Sequence, residues 1–261
     1  MNFKEQNKTR PRPWIKYYSS PSAADLEYPD GTMYDVFRDA ALRNPDAPAI
    51  DYMTSRMTFQ TLHREVLRCA AALKELGAGR GDRITVCLPN IPQAVIIFYA
   101  ILYIGAEANM IHPLSSGNEI EFYMNESKSK ILFMCDAFFG KTEGIRCPYL
   151  QKTVFAGAAD LLPFYLRAGF RLTQGRKIKK PQETASVCSW KTFLGKYKNA
   201  ELRDDFGASD LKCTDTAVIL YSGGTSGVQK GILLSHLNFN ALAEQTAANG
   251  TESILPGDTM L

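Results

Sequence analysis

Apolar residues before position 160 follow two alternating patterns. Apolar side chains three and four positions apart predict amphipathic helices over residues 33–43 and about 59–76. Short apolar runs between and after these helices predict buried strands. The strands are predicted at residues 47–52, 84–88, 108–111, 131–135 and 153–156.

Two further features of this region indicate its architecture. Residues 91–104 are apolar nearly all round, which predicts a helix buried between two layers. Ser116 and Glu119 have the spacing of a capping box and predict a helix that ends near residue 127. Because strands and helices alternate, the sequence predicts an α/β fold with a doubly wound, largely parallel sheet flanked by helices.

A loop of small residues lies between two apolar runs near the end of the chain. Residues 217–221 predict a buried strand, and residues 222–227 are three glycines and three hydroxyl residues. A second apolar run covers residues 232–234. Ser235 then predicts the N-cap of a helix that ends near residue 248.

The small-residue loop has the chemistry of a phosphate-binding site. Glycines allow successive backbone N–H groups to converge on an anion, hydroxyl groups add donors, and a lysine adds positive charge. The candidate residues are Ser222, Gly223, Gly224, Thr225, Ser226, Gly227 and Lys230. Their spacing differs from that of a Walker loop. A flexible hairpin loop with a solvated lysine is the alternative interpretation.

Composition narrows the class of protein. The 261 residues are 45% hydrophobic and 22% charged, which is typical of a soluble globular protein, and the net charge of +3 is too small to indicate a nucleic-acid partner. Six cysteines without a C-x-x-C pair and three scattered histidines give no zinc-site pattern, so we expect buried thiols in a reducing cytoplasm. The N-terminus lacks the apolar core of a signal peptide, and residues 94–104 are fewer than the about 20 that span a bilayer.

Residues 159–198 combine apolar side chains with a cluster of basic ones. Such a segment lies on an anionic membrane in some proteins and forms an ordinary surface helix with a solvated loop in others. The sequence favours the surface helix and leaves peripheral membrane contact as the alternative.

The sequence of residues 221–231, Tyr-Ser-Gly-Gly-Thr-Ser-Gly-Val-Gln-Lys-Gly, resembles the phosphate-binding signature of the AMP-forming adenylating enzymes. This superfamily includes acyl-CoA synthetases, luciferases and peptide-synthetase adenylation domains. Gly223 stands where serine is common, and Gln229 stands where proline is usual, which predicts a less stiff loop. The resemblance covers most of residues 32–261 and is greatest to bacterial fatty-acid–CoA ligases. Further matches are at residues 57–59, 76–84, 88–90, 103–106 and 112–114.

The resemblance implies a ligase reaction in two steps that uses ATP, Mg²⁺ and CoA. A carboxylate, expected to be a fatty acid, attacks the α-phosphate of ATP, and the CoA thiol then displaces AMP to give a thioester. The candidate loop residues would bind the phosphates of ATP. The same chemistry on an aryl or amino acid stays open, because the acyl pocket of the family lies beyond residue 261.

The resemblance also implies a division of the chain. Residues 1–31 are expected to form an extended arm, and residues 32–261 an incomplete N-terminal AMP-binding domain, with the mobile C-terminal domain and the catalytic residues absent. The expected location is the cytoplasm, with peripheral contact to the inner membrane face as the alternative noted above. An inactive remnant, or a weak phosphate-binding module, is the alternative to an enzyme.

Overall fold

The computed structural model describes residues 11–17, 26–178, 181–197, 204–222, 229–249 and 259. The strands in this part of the chain are β1 (Pro48–Tyr52), β2 (Ser55–Thr58), β3 (Arg83–Cys87), β4 (Glu107–Met110), β5 (Ile131–Cys135), β6 (Lys152–Ala156), β7 (Val187–Ser189), β8 (Thr216–Ser222) and β9 (Lys230–Ser235). The α-helices are α1 (Met33–Arg43), α2 (Phe59–Glu75), α3 (Pro92–Tyr103), α4 (Gly117–Ser127), α5 (Phe164–Leu172), α6 (Trp190–Phe193) and α7 (His236–Asn249). Short 3₁₀ helices cover Pro13–Tyr17, Asp136–Thr142, Gln174–Lys177 and Gly195–Tyr197.

Among the described residues, seven strands form one sheet in the order β7-β6-β5-β3-β4-β8-β9. The strands from β7 to β8 are parallel to their neighbours, and β9 alone pairs antiparallel, with β8. The chain passes from β4 across β3 to β5, so the direction of winding reverses within the sheet. This arrangement confirms the predicted doubly wound, largely parallel fold.

Helix starts follow the capping residues that the sequence provides. Thr32 accepts a hydrogen bond from the Asp35 backbone N–H at 3.1 Å, and the Asp35 carboxylate accepts one from the Thr32 N–H at 2.8 Å. Ser116 and Glu119 form the same reciprocal pair, which confirms the predicted capping box. Each cap fixes the point at which the chain leaves the preceding strand or loop and enters a helix.

The two faces of the sheet bury separate apolar clusters. Helices α1, α2, α3 and α6 cover one face, and α3 is buried there as predicted, with Ile96, Ile97 and Ile101 fully inaccessible. Helix α4 covers part of the other face, where Ile120 and Met124 pack on the residues of β5. The sheet is therefore a layer between helices, which is why its central strands are apolar on both sides.

A buried polar network joins β3 and β4 to the end of α4. The Asn109 side chain is fully buried, and its Nδ2 donates to Thr85 Oγ1 at 2.8 Å and to Ser127 Oγ at 3.0 Å. The Thr85 hydroxyl donates to Ser129 Oγ at 2.7 Å. Asn109 Oδ1 finds no hydrogen-bond donor within the described part of the chain.

The sequence did not predict β2 or β7, and it showed β9 only as an apolar run. The β2 strand is too polar for an apolar run, and it forms because a turn at Met53 and Thr54, both with positive φ, folds it back onto β1. The three residues of β7 are too few for a periodic pattern. In the arm, Pro13–Tyr17 form a 3₁₀ helix, and the division of the chain at residue 32 stays a prediction.

Candidate functional site

The two ends of the small-residue loop are held opposite each other. Ser222 is the last residue of β8 and Lys230 is the first residue of β9, and the two are register partners in the antiparallel pair. The structure thus brings Ser222 and Lys230 together. The other predicted loop residues, Gly223, Gly224, Thr225, Ser226 and Gly227, lie outside the described residues.

The loop emerges at the carboxyl edge of the parallel strands. Strand β8 runs parallel to β4, and β4 runs parallel to β3, so all three strands end at the edge where Ser222 lies. Open α/β sheets bind their ligands in the crevice outside this edge. The position of the loop in the fold is therefore suitable for a ligand, independently of its sequence.

Tyrosine contacts fasten the base of the hairpin to α4. The Tyr221 hydroxyl donates to the Tyr123 carbonyl at 3.1 Å, and the two rings lie 4.1 Å apart between centroids. Burial raises the pKa of Tyr221 to about 12, so its hydroxyl keeps its proton at neutral pH. Tyr221 precedes the loop directly, and this contact therefore fixes the strand end from which the loop begins.

The other end of the loop lies beside the same helix at Gln229. Its side chain is close enough to the Glu119 carboxylate and the Tyr123 hydroxyl to favour the ionised form of each. Hydrogen bonds from the Ser116 cap, with a smaller contribution from Gln229, hold the pKa of Glu119 below its ordinary value. The sequence had indicated only that Gln229 replaces a usual proline. Nothing in its pattern predicted that the glutamine contacts α4.

Lys230 and Glu119 are oppositely charged side chains at the mouth of the loop. Lys230 is exposed at the start of β9. The Glu119 carboxylate is engaged by its cap and by Gln229, which directs its oxygens to N–H and O–H donors. Hydroxyl and ammonium donors at a mouth of this kind can bind an anionic group.

His236 lies at the opposite edge of the sheet from the loop. Ser235, the residue before it, pairs with Thr216 at the amino end of β8. Ser235 is five strand residues, or roughly 17 Å, from Lys230. The His236 ring is 2% exposed, and its Nδ1 accepts a hydrogen bond from the Met33 N–H at 3.2 Å. These contacts give His236 a structural role, and the strand register places it away from the loop.

An open polar cleft of about 390 Å³ also lies away from the loop, beside Tyr103 and residues 204–211. The Tyr34 hydroxyl lies 2.9 Å from Asp204 Oδ1 and 2.8 Å from His63 Nε2. Although burial opposes it, hydrogen bonds from His63 and Tyr34 lower the pKa of Asp204 below its ordinary value. Four aspartates and one arginine line this cleft, so its lining is predominantly acidic and we do not place the anion site there.

Comparison with known proteins identifies the family of this chain. The model of the family described as AMP-binding enzyme matches residues 37–261. The chain belongs to the AMP-binding enzyme family. Residues 221–231, whose resemblance to this superfamily was noted in the sequence, lie within the matched range.

Sequence relatives and solved structures similar to this AMP-binding chain include CoA ligases. A long-chain-fatty-acid–CoA ligase of Bacillus subtilis (strain 168) is 29% identical over 252 residues, which cover 94% of this chain and 44% of the ligase. The crystal structure of the anthranilate CoA ligase AuaEII in complex with anthranoyl-AMP matches with a TM-score of 0.66 and 22% identity, over 83% of this chain and 37% of that one. A long-chain-fatty-acid–CoA ligase from Archaeoglobus fulgidus matches with a TM-score of 0.64 and 21% identity, over 86% and 40%.

The AMP-binding chain thus spans less than half the length of the relatives it matches. The structural matches, at about one residue in five identical, confirm the fold. No helix in the described ranges is both long and apolar enough to cross a membrane. Four cysteines, at positions 69, 87, 135 and 188, are buried thiols as predicted, while Cys147 and Cys213 are partly exposed.

Proposed function

We propose that this chain is the N-terminal part of an AMP-forming acyl-CoA ligase, and that residues 222–230 bind the phosphates of ATP. The observation that supports this most directly is the pairing of Ser222 with Lys230 at the carboxyl edge of the sheet. Membership of the AMP-binding enzyme family adds to it.

A fatty acid is the proposed substrate. The support is the Bacillus subtilis relative, a long-chain-fatty-acid–CoA ligase that aligns with 94% of this chain. The same chemistry on an aryl acid is the second candidate, because the anthranilate CoA ligase is among the structural neighbours. Activation of an amino acid has no comparable support.

The proposed reaction proceeds through an acyl adenylate. A carboxylate oxygen of the substrate bonds to the α-phosphorus of ATP, the bond between the α- and β-phosphates breaks, and pyrophosphate leaves. The thiol of CoA then bonds to the acyl carbon, AMP leaves, and the thiol proton is released. For both steps the chain's part is to hold the phosphates in position and to offset their charge.

Each loop residue has a proposed part in binding the nucleotide. The Ser222, Thr225 and Ser226 hydroxyls would donate hydrogen bonds to phosphate oxygens, and Lys230 would offset their charge. Gly223, Gly224 and Gly227 would offer backbone N–H groups and room for close approach. Tyr221 and Gln229 act by position, since they fasten the two ends of the loop to α4.

The described residues support the three proposed cofactors to different degrees. The donors at the loop mouth suit the phosphates of ATP. Mg²⁺ is proposed only as an ion bound by the phosphate oxygens themselves. Within the described residues, no three His, Cys, Asp or Glu side chains come close enough together to hold a metal. CoA is proposed from the family alone.

The proposed location is the cytoplasm. A reduced environment fits the six cysteines, of which none forms a disulfide among the described residues. Residues 32–261 are proposed as part of one AMP-binding domain, with residues 1–31 as an arm. Within the arm, the Tyr28 hydroxyl accepts a hydrogen bond from Gln245 of α7 at 2.8 Å, so this end of it lies against the domain.

Replacing Lys230 by alanine tests the phosphate site. A hydrogen bond from a charged group contributes about 1.5–3 kcal/mol, so the Kd for ATP–Mg²⁺ should rise about 10- to 100-fold. The measurement is isothermal titration of the chain with ATP–Mg²⁺. The matched control is Lys212→Ala, because Lys212 is also exposed but lies before the amino end of β8.

Two results would contradict the proposal. Equal ATP affinity in the Lys230→Ala variant and in the control would remove Lys230 from the site. The second result would come from a polypeptide as long as the full relatives. If it catalysed no exchange of pyrophosphate into ATP with any fatty or aryl acid, the alternative of an inactive remnant would be left.

A further inference from the structure

Three large apolar side chains of helix α5 are exposed. Phe164 is 77% exposed, Tyr165 57% and Leu172 64%, and the small residues Ala168 and Gly169 between them are exposed as well. Positions 165, 168, 169 and 172 share one face of a helix because they are three, four and seven residues apart. A surface helix normally presents polar residues on such a face. These exposed residues, together with Phe164, form an apolar surface where polar side chains are expected. We refer to this surface as the apolar face of α5.

The apolar face has no cover within the described part of the chain. The helix packs chiefly against the 3₁₀ helix Gln174–Lys177 that follows it. The Phe164 and Tyr165 rings meet edge to face, with centroids 5.7 Å apart, so they contact each other while both remain exposed. Exposed apolar surface of this kind indicates a partner or a lipid phase.

The segment around the apolar face is basic throughout. Between Phe164 and Ile178 the sequence contains four basic residues and no acidic one, and Lys179 and Lys180 extend the run. The four are Arg167, Arg171, Arg176 and Lys177. Arg176 is exposed and Arg167 is half-buried. The chain as a whole has a net charge of only +3, so positive charge is concentrated here.

We propose that the apolar face of α5, with the basic residues beside it, binds the surface of an anionic lipid bilayer. Aromatic and leucine side chains next to arginine and lysine match the two layers of such a surface, since the rings enter the acyl boundary and the cations remain among the headgroups. A nucleic acid would match the charge but not the outward leucine. An apolar protein groove would match the leucine but gain nothing from basic residues that no acidic residue interrupts.

The length of helix α5 determines how it can lie relative to the bilayer. Helix α5 is nine residues long, so it lies along the surface and does not span it. Each Lys or Arg held near an anionic surface contributes about a fivefold increase in the partition coefficient. A fully inserted leucine contributes about tenfold or more.

Vesicle co-sedimentation tests the proposal. The chain should bind vesicles that contain phosphatidylglycerol and phosphatidylcholine, and should bind vesicles of phosphatidylcholine alone much more weakly. Replacing two of the four basic residues in R176Q/K177Q should lower the partition coefficient about 25-fold on the anionic vesicles. The control R56Q/K212Q removes the same charge from elsewhere and should leave binding nearly unchanged.

A second pair of variants tests the apolar contact. Leu172→Ser should weaken binding about tenfold, whereas Leu42→Ser should not, although Leu42 of α1 is similarly exposed, at 67%. Both changes are on the surface, and circular dichroism verifies that the fold is kept. Equal binding by R176Q/K177Q and its control, or by the two serine variants, would overturn the proposal, as would the absence of vesicle binding.

The membrane surface and the ATP site can fail separately. Vesicle binding is measured without nucleotide, and Lys230→Ala should leave it unchanged. A chain that binds vesicles but not ATP would refute the proposed ligase site and keep the membrane surface.

Discussion

Replacing Asn109 by aspartate should destabilise the protein strongly at neutral pH and only weakly at acid pH. Asn109 is fully buried on β4, and its Nδ2 donates to two hydroxyl groups, on Thr85 and Ser127. The substitution keeps the size of the side chain but removes this donor. It also places a carboxyl group where one oxygen already has no donor among the described residues.

The magnitude follows from the burial of the site. A buried carboxyl group without a cationic partner has its pKa raised by about 3 units or more, which corresponds to about 4 kcal/mol at pH 7. The two lost hydrogen bonds add about 1 kcal/mol each, reduced where the hydroxyls turn to donate to the new oxygens. Because the native pKa is raised, the penalty is absent below about pH 4, the unfolded value, and increases as the pH rises towards neutrality.

Urea unfolding at pH 4.5 and pH 7 measures this difference. The free energy of unfolding of the Asn109→Asp variant should fall short of the parent by about 4 kcal/mol or more at pH 7, and by about 2 kcal/mol or less at pH 4.5. Asn118→Asp is the matched control, because Asn118 is exposed in the first turn of α4, where a negative charge is tolerated. A difference from the parent that is the same at both pH values would refute the reasoning.

Two further predictions concern residues at the edge of the sheet opposite the loop. Burial lowers the pKa of His236 below its ordinary value of 6.5, against the opposing charges of Asp215 and Asp35. The unfolded chain therefore binds a proton that the native chain resists, and stability should fall as the pH drops below 6.5. Urea titrations should show a shallower fall for His236→Gln, and an equal fall would contradict the assignment. Gly105→Ala should cost about 1–3 kcal/mol, because φ is +73° and a Cβ there would lie 2.8 Å from that of Ala208. Gly79→Ala, with no atom within 4 Å of the added Cβ, is the control, and equal thermal midpoints would contradict this.

Most of the fold could be predicted because the signals are local. The β5 strand and α1 have the predicted bounds, and α2, α3 and α4 differ from them by one residue or so. Caps at Thr32, Ser116 and Ser235 define helix starts through hydrogen bonds within one turn. The β2 strand, which was not predicted, forms because it pairs with β1. Its own residues are too polar to predict a strand.

The sequence predicts a chemistry for the candidate site but not the contacts that support the loop. The residue types from Ser222 to Lys230 indicate phosphate binding because glycine, hydroxyl and ammonium groups suit an anion wherever they lie. The contacts of Tyr221 and Gln229 with α4 join positions about a hundred apart in the chain. Such contacts depend on the packing of β8 and β9 beside α4, which no local pattern encodes. The apolar and basic residues around α5 were visible in the sequence, whereas the exposure of its apolar face became visible only in the structure.

The pairing of Ser222 with Lys230 also has a thermodynamic consequence. A free chain that closes a loop of about seven residues loses entropy worth about 2 kcal/mol, by the logarithmic dependence on loop length. Here the β8–β9 ladder closes residues 223–229 as part of folding. A nucleotide that binds the loop therefore acts on a segment whose ends are already fixed. Its affinity should depend more on which residues present donors than on the length of the loop, since doubling that length changes the closure term by only about 0.6 kcal/mol.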